Sequence, residues 1–462
     1  MKWYARLARY PEVWLLTGLA VITRLWQIGL PPAIVFDEVY FRMFAAGYVS
    51  GHYFFDIHPP FVKLIFTGVA SLAHLSAEQI ASGDPGGILL RSIPALAGAA
   101  LVPLLYVIIR QLGLGRRVAT FGALLVLLDN ALLVESRFVL MDSLLLLFGF
   151  GALSCYLALR RRKGNQRWVW VVFMAALLGM LVSTKWSGLA MAGLIAVTWF
   201  IEGVLRRADW RRMVGEFFVT IFIVASIYIG SFMLHFTLLN SSGAGDAFMS
   251  EKFQSTLVSN SRYNASARMS QWEKIVELNS EMYTAQDTLT GVQHPYASHW
   301  YSWPLQIRPV YYWQGETQKT GTQGNIYLIG NPVVWWLCAV SVITGLLIWL
   351  IRPQLLGHRR RLVAFLLAGY ALNFVPFAFI DRPMFLYHYF FALIFSMLVT
   401  CVLLAQLFDW QRQKYGIKAV KQTFWGLVIA VALGFLYFLP LSYGWLLSPA
   451  DLQQRMWLPT WR

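Results

Sequence analysis

The chain has 462 residues, of which 58% are hydrophobic and only 13% are charged. A soluble domain is about 45–50% apolar and about 25% charged, so this composition excludes an ordinary soluble protein of this size. The net charge of +16 does not indicate nucleic-acid binding, because the basic residues fall in short clusters between apolar blocks of roughly 20 residues. Such blocks predict membrane-spanning helices and not a barrel, whose strands alternate over roughly 10 residues.

The apolar blocks predict eleven spans. In chain order they are 12–30, 89–110, 118–136, 138–159, 168–184, 186–205, 213–237, 333–351, 362–380, 385–408 and 423–447. The first block lacks a small-residue cleavage site and is interpreted as a retained span. The stretch 61–75 is apolar but short, which is typical of an interfacial or re-entrant helix. The three cysteines all lie inside apolar blocks and show no metal-ligand spacing.

The basic residues fix an orientation for this map. With the N-terminus in the cytoplasm, the inner segments hold 23 of the 38 Lys and Arg residues but only 5 of the 22 acids. Their net charge is +18, whereas the rest of the chain carries −2. Every alternate loop therefore obeys the positive-inside rule, and the C-terminus is expected outside. Two outer segments are long, at about 31–88 and 238–332, and the second is partly helical in pattern.

The first outer segment carries two groups of polar residues. Asp37 and Glu38 directly follow the first span, and adjacent carboxylates point in different directions, so that one can act on a substrate while the other orients it. Further along, Asp56 and His58 precede two prolines that exclude helix and fix a turn. A solvated loop start and a structural turn are the simpler interpretations of these two groups.

Further charges lie in or beside the apolar blocks. Glu135, Arg137 and Asp142 lie where a charge is costly, so they are expected to face a cavity or one another. Lys185 lies at an outer boundary, and Arg91 begins the second span. Helix-to-helix ion pairs and snorkelling are the alternatives here.

A last polar group lies at the tip between the ninth and tenth spans. Arg382, Tyr387 and His388 follow one another there, a combination that suits an anionic headgroup, although an aromatic belt would also explain it. All five polar groups fall on the outer side of a map drawn from Lys and Arg alone. That side is expected to bind a lipid-linked phosphate substrate, with cations on the phosphate and an acid as base.

The order of these motifs resembles the protein O-mannosyltransferases, membrane glycosyltransferases of the GT-C type. The matching pieces are VFDEVYF, GHYFFDIHPPFVKL, RSIPALAG, LLDNALLVESRFVLMDS, STKWSG, HPYASHWYSWPL and YHYFFAL, in that order over about residues 10–450. The resemblance implies an all-α polytopic membrane protein, a single transmembrane glycosyltransferase domain over 1–462 with about eleven transmembrane helices and helical extracytoplasmic loops. The donor would be polyprenyl- or dolichyl-phosphate mannose, and the acceptors Ser or Thr hydroxyls of secreted or membrane proteins.

The resemblance also implies roles for individual residues. Asp37 would be the candidate base and Glu38 would support positioning, although which of the two is the base stays open. The positions of the motifs and the charges of their side chains together suggest the residues that would hold the donor phosphate. These are Arg137, Lys185, Arg382, Tyr387 and His388. Supporting roles would fall to Asp56, His58, Arg91, Glu135 and Asp142. No cofactor, metal or nucleotide-sugar site is implied.

One departure from the family pattern bears on the source of the chain. Eukaryotic members carry a substantial β-rich soluble domain in the large luminal loop, and the segment 238–332 is too short and too helical for it. The chain is therefore expected in the bacterial inner membrane, with the active site extracytoplasmic. Two alternatives stay open: a transferase that modifies a glycolipid, similar to the aminoarabinose transferases, and a transporter or flippase, which the absence of a sequence repeat disfavours.

Overall fold

A computed structural model describes residues 10–83, 86–288 and 294–462, apart from the side chains of residues 86, 287 and 288. In chain order the helices are α1 (Pro11–Leu25), α2 (Glu38–Ser50), α3 (Phe61–Leu72), α4 (Ala77–Ser82), α5 (Gly86–Gln111), α6 (Arg116–Leu127), α7 (Asn130–Glu135), α8 (Asp142–Leu159), α9 (Gly164–Val182), α10 (Leu189–Leu205), α11 (Trp210–Leu238), α12 (Glu251–Gln254), α13 (Gln271–Thr288), α14 (Pro332–Ile351), α15 (Arg360–Leu372), α16 (Phe390–Tyr443) and α17 (Pro449–Arg455). Short 3₁₀ turns lie between several of them, and the three strands are β1 (Val310–Gln314), β2 (Gln323–Leu328) and β3 (Leu446–Leu447).

Within the described ranges, eight helical stretches are long and apolar enough to cross a membrane. The last of them, Leu386–Tyr443, covers the tenth and eleventh predicted spans together. Gly416 interrupts it with φ 79° and ψ −178°, a backbone conformation that breaks the helix and is open to glycine, which has no Cβ. The prediction of a helical polytopic membrane protein is confirmed.

Two predicted spans are shorter in the structure. The helix α1 has 15 residues and ends at Leu25. The predicted span 118–136 is divided into α6 and α7, because Asp129 has extended φ/ψ and its side chain accepts the backbone N–H of Leu132 at 2.9 Å. Asp129 is thus the N-cap that begins a new helix, which the continuous apolar pattern did not predict. The predicted short helix at 61–75 is present as α3.

The large outer segment contains more than helices. Residues Val310–Gln314 and Gln323–Leu328 pair antiparallel, and β3 adds two residues to the other edge of β2. This small three-stranded sheet corrects the all-α expectation for that segment. The missed strand VYYWQ has burial at alternate positions, with Val310 and Tyr312 buried, and that alternation is typical of a half-buried strand.

The first half of α16 forms the centre of the molecule, where it is buried on nearly every side. Small residues permit the close approach of its neighbours: a Cβ added at Gly369 would meet the Phe395 ring at 2.3 Å, and one at Gly149 would meet the Phe391 ring at 2.6 Å. This packing fixes the start of α16. The predicted site residues Tyr387 and His388 lie in the short turn just before it.

Candidate active site

A cavity of about 220 Å³ lies where the first outer segment meets the starts of α8 and α16. Its lining is mixed, with four carboxylates, two cations, two histidines and several aromatic rings. The predicted residues that line it are Asp37, Asp56, His58, Glu135, Asp142, Lys185, Arg382, Tyr387 and His388. Side chains from distant parts of the sequence therefore converge on one volume, as an active site requires.

Asp37 occupies the N-terminal end of α2. Its backbone carbonyl begins the helix, but its side chain makes no capping hydrogen bond, and the described residues offer the carboxylate no hydrogen-bond partner. Burial raises the pKa of Asp37 to about 6, the nearby Lys185 lowers it, and Asp142 adds to the rise. A free carboxylate with a pKa near neutrality, facing a cavity, has the properties of a general base.

The residue before this carboxylate fixes its direction. Phe36 has φ 50°, which for a residue with a Cβ costs about 1–2 kcal/mol. Its ring stacks on Tyr312 with centroids 4.4 Å apart and meets the edges of Phe385 and Tyr387. These aromatic contacts offset the strain and turn Asp37 towards the cavity. The sequence motif did not predict this role for Phe36.

Glu38 lies outside the cavity lining, fully buried. Arg91 donates to its carboxylate from Nε at 2.8 Å and from Nη2 at 2.7 Å, and the backbone N–H groups of Val35 and Val139 donate at 3.0 Å each. Burial alone would raise the pKa of Glu38, but Arg91 and Arg42 hold it below its ordinary value. The predicted catalytic pair therefore separates into one residue that faces the cavity and one that positions it.

Arg91 completes this anchor. Besides Glu38, its guanidinium binds the backbone carbonyls of Ile28, Pro31 and Ala33, at 3.3, 3.0 and 2.7 Å. The loop between α1 and α2 is thus tied to α5 by one side chain. Arg91 does not line the cavity, and its expected supporting role stays a prediction.

The turn at 56–60 is held from two sides. Lys63 forms an ion pair with Asp56 and donates to the His58 carbonyl at 2.7 Å, while Phe61 N–H donates to the Ser183 carbonyl at 3.0 Å. The second bond ties this turn to the segment that carries Lys185. Burial, with the nearby charges of Lys185 and Lys63, holds the pKa of His58 well below its ordinary value, so His58 is a neutral hydrogen-bonding group at pH 7.

Glu135 and Asp142 both line the cavity, and they come from two different helices. The helix ends after Glu135 and restarts at Asp142. Tyr312 Oη donates to Glu135 Oε2 at 2.6 Å, and the described residues offer the other oxygen, Oε1, no partner. Tyr312 was missed because only the sheet, which the sequence did not predict, directs it to the cavity.

Two cations face the cavity, and they differ in whether a carboxylate lies beside them. Lys185 Nζ lies 3.3 Å from Asp142 Oδ1 and 5.4 Å from the centre of the Tyr387 ring. Arg382 has no carboxylate within salt-bridge distance among the described residues. An unpaired guanidinium beside a paired ammonium offers an anion two positive groups, one of them already free to bind it.

His388 is held in a fixed orientation. Its Nδ1 lies 3.1 Å from the Phe385 N–H, from which it can accept, and 3.0 Å from the Phe385 carbonyl, to which it can donate in the other tautomer. Its ring lies nearly parallel to Trp303 with centroids 6.0 Å apart. In the tautomer in which Nδ1 accepts the Phe385 N–H, Nε2 carries the proton and is the nitrogen available as a donor.

Arg137 does not line the cavity, which corrects its assignment to the donor phosphate. Its guanidinium donates to the carbonyls of Arg24, Trp26 and Gln27 at 3.2, 2.6 and 2.9 Å and stacks 4.3 Å above the Tyr443 ring. The last carbonyls of a helix lack intrahelical hydrogen-bond donors. At the end of α1, Arg137 supplies these donors. It is 1% exposed, and its two terminal nitrogens are both used in these backbone contacts.

Among the residues that the structure describes, no group of three or more His, Cys, Asp and Glu side chains has the arrangement to hold a metal ion. The four cavity carboxylates share their volume with two cations, Lys185 and Arg382.

The fold is similar to solved membrane glycosyltransferases. The S. cerevisiae protein O-mannosyltransferase Pmt1-Pmt2 complex, solved with its sugar donor, aligns with a TM-score of 0.85 at 19% identity, over 98% of this chain and 92% of that one. The long apolar helices and the polar cavity therefore define a polytopic membrane protein of the GT-C glycosyltransferase type.

Two family models match the sequence. Residues 14–240 match "Dolichyl-phosphate-mannose-protein mannosyltransferase", and residues 271–461 match "C-terminal four TMM region of protein-O-mannosyltransferase". The chain belongs to the protein O-mannosyltransferase family, as the resemblance predicted.

Curated relatives match over part of their length. Dolichyl-phosphate-mannose–protein mannosyltransferase 4 of Schizosaccharomyces pombe is 33% identical over 267 residues, which are 53% of this chain and 34% of the relative. Protein O-mannosyl-transferase 1 of Danio rerio is 30% identical over 338 residues, 70% of this chain and 46% of the relative. The chain thus spans between about a third and a half of the length of these two proteins.

Proposed function

We propose that this protein transfers mannose from a polyprenyl (dolichyl-type) phosphate to Ser or Thr hydroxyls of secreted or membrane proteins. The observation that carries the proposal is the free carboxylate of Asp37 in the same cavity as Lys185 and Arg382. A base for the acceptor and cations for the leaving phosphate are the two requirements of this reaction. Family membership favours this reaction over a glycolipid transferase and over a transporter.

In the proposed reaction the acceptor hydroxyl gives its proton to Asp37 and its oxygen attacks the anomeric carbon. The bond between that carbon and the phosphate oxygen breaks on the opposite side, so the configuration inverts. Arg382 and Lys185 take up the charge of the departing polyprenyl phosphate, and Nε2–H of His388 is positioned to donate to the same group. Glu135, with one free carboxylate oxygen, and the lone pairs of Tyr312 present acceptors to the sugar hydroxyls.

The proposal includes the setting of the enzyme. The chain lies in the bacterial inner membrane with the N-terminus cytoplasmic and with the cavity and C-terminus on the extracytoplasmic side. No metal or other cofactor takes part, because the two cations supply the charge that a metal would. Activity should therefore persist when membranes are treated with EDTA, and a loss that Mg²⁺ or Mn²⁺ restores would contradict this part of the proposal.

The test supplies membranes that contain the protein with radiolabelled polyprenyl-phosphate mannose and a Ser/Thr-rich peptide. We expect label on the peptide, released by β-elimination as mannose, and none from the Asp37→Asn variant. Label in a glycolipid with none on the peptide would replace the proposed acceptor, and donor translocation without any transfer would replace the enzyme with a flippase. Polyprenyl-phosphate glucose, supplied in parallel, tests the identity of the sugar.

A further inference from the structure

A second and larger hollow lies between α9, α10 and α11, away from the active-site cavity. Its volume is about 710 Å³, and its walls are apolar except for Glu216 and Thr220. At one place α9 and α11 touch closely, since a Cβ on Gly179 would lie 3.3 Å from the Val224 backbone. The helix α10 diverges from them and lies towards α8 and α15, which leaves a groove open between three membrane-spanning helices.

This groove cannot hold ordered water, because water in a cavity needs two to four polar partners and the walls do not provide them. The one acid in it is already satisfied. Glu216 is 2% exposed, binds Arg167 through both carboxylate oxygens and accepts Trp199 Nε1–H at 2.9 Å. A hydrocarbon chain is therefore the occupant that the groove accepts at no polar cost.

The charge around its mouth identifies the headgroup. The groove extends from the ends of the three helices where Arg167, Arg206, Arg207, Arg211 and Arg212 are concentrated. Of these, Arg207 and Arg211 are exposed and form no ion pair with any described residue. The Arg211 guanidinium lies 5.8 Å from the centre of the Trp210 ring, which leaves its charge unneutralised. Two guanidinium groups without a carboxylate partner, at the helix ends that border an apolar groove, match a lipid with a phosphate and a net negative charge.

The groove is also distinct from the active site. Arg167 and Lys185 lie near opposite ends of α9, 18 residues apart, which corresponds to about 27 Å along a helix. A lipid whose headgroup binds the arginines therefore cannot place its phosphate near Asp37. We propose that the groove between α9, α10 and α11 is a binding site for an anionic phospholipid, with its acyl chains against the apolar walls and its phosphate at Arg207 and Arg211.

The first test fills the groove. The full chain is purified in mild detergent, incubated with phosphatidylglycerol, and its bound lipid is counted by native mass spectrometry. We expect one tightly retained lipid in the wild type, its loss in Ala196→Trp, which fills the groove from α10, and its retention in Val340→Trp, on the lipid-facing surface of α14. Equal retention in both variants would overturn the site.

The second test removes the headgroup contacts and does not depend on groove packing. In Arg207→Ala/Arg211→Ala the preference for phosphatidylglycerol over phosphatidylcholine should fall roughly 30-fold, because each of the two cations contributes about 1 kcal/mol near an anionic lipid. The control, Arg412→Ala/Lys418→Ala, removes two exposed cations from another basic segment and should keep the preference. Equal binding of the two lipids by the wild type would contradict an anionic site. Neither readout requires mannosyl transfer, so failure here leaves the proposed function untouched.

Discussion

At the scale of single residues, two adjacent carboxylates have different environments and different proposed roles. Asp37 and Glu38 are neighbours, yet one has a free carboxylate in the cavity and the other accepts hydrogen bonds from two arginines and two backbone amides. Their environments displace the two pKa values in opposite directions. Substitutions at these two positions should therefore have opposite effects on stability.

Asp37→Asn should abolish transfer, with a loss of at least about 10²-fold, because no base then accepts the hydroxyl proton. In the wild type, activity should rise with pH to a plateau with a midpoint near pH 6, as Asp37 loses its proton. The folded state favours protonated Asp37, so the ionised group opposes folding above that pH, and the variant should keep or raise the Tm at pH 7.5. Initial rates and thermal unfolding check this, and a wild-type rate in the variant would exclude the base assignment.

Glu38→Gln should instead destabilise the protein by about 3 kcal/mol or more, because it leaves Arg91 and Arg42 buried without a counter-charge. The matched control is Glu12→Gln, which removes an ion pair with the half-exposed Arg116 and should cost less than about 1 kcal/mol. Denaturation in detergent compares the two. Equal losses of unfolding free energy in the two variants would show that the buried ion pairs of Glu38 stabilise the protein no more than an exposed ion pair does.

Arg382→Ala should raise the KM for the lipid-linked donor about tenfold or more with a smaller change in the peptide KM, since it removes the cavity cation that has no carboxylate partner. Arg262→Ala, on the surface and paired with Glu251, is the control for loss of one positive charge. Steady-state kinetics with each substrate varied in turn distinguishes the two. An unchanged donor KM would remove Arg382 from the phosphate site.

At the scale of secondary structure, the sequence predicted which segments are apolar and helical more readily than where helices end. The break at Asp129 and the hairpin of β1 and β2 were missed for one physical reason: each depends on a capping or cross-strand bond that periodicity does not record. The same limit explains Arg137. Its position among acids suggested a phosphate ligand, but its partners are backbone carbonyls, which no sequence pattern displays.

Asp129 connects the start of α7 with the start of α14, so a substitution there tests how far one capping residue stabilises the packing of these helices. Its carboxylate caps α7 and accepts Asn331 N–H at 3.1 Å and Trp335 Nε1–H at 2.7 Å from α14. Asp129→Asn places an amide N–H against these donors and should lower stability by about 1–3 kcal/mol. The exposed cap Asp209 has a single backbone partner, so Asp209→Asn should be close to neutral. Thermal unfolding of both variants checks this prediction. A larger drop in Tm for Asp209→Asn than for Asp129→Asn would contradict it.

At the scale of the whole molecule, the orientation across the membrane decides which substrates can reach the cavity. The charge distribution predicts that the segment around Lys163 is cytoplasmic and that around Arg262 is outside. The three native cysteines are buried, which leaves a low background for labelling. An impermeant maleimide should modify Arg262→Cys on intact cells and Lys163→Cys only after permeabilisation. The reverse pattern would invert the map.

The balance of charge in the cavity has a consequence for the end of the reaction. Four carboxylates and two cations line it, so its lining is formally acidic even before a substrate binds. A sugar phosphodiester brings one negative charge, whereas the phosphomonoester that remains carries about −1.5 to −2. Once Asp37 has passed its proton to solvent, the spent lipid meets more repulsion than the loaded one did. The carboxylates of the cavity therefore oppose the added attraction of Arg382 and Lys185 for the spent lipid, which favours its exchange for a new donor.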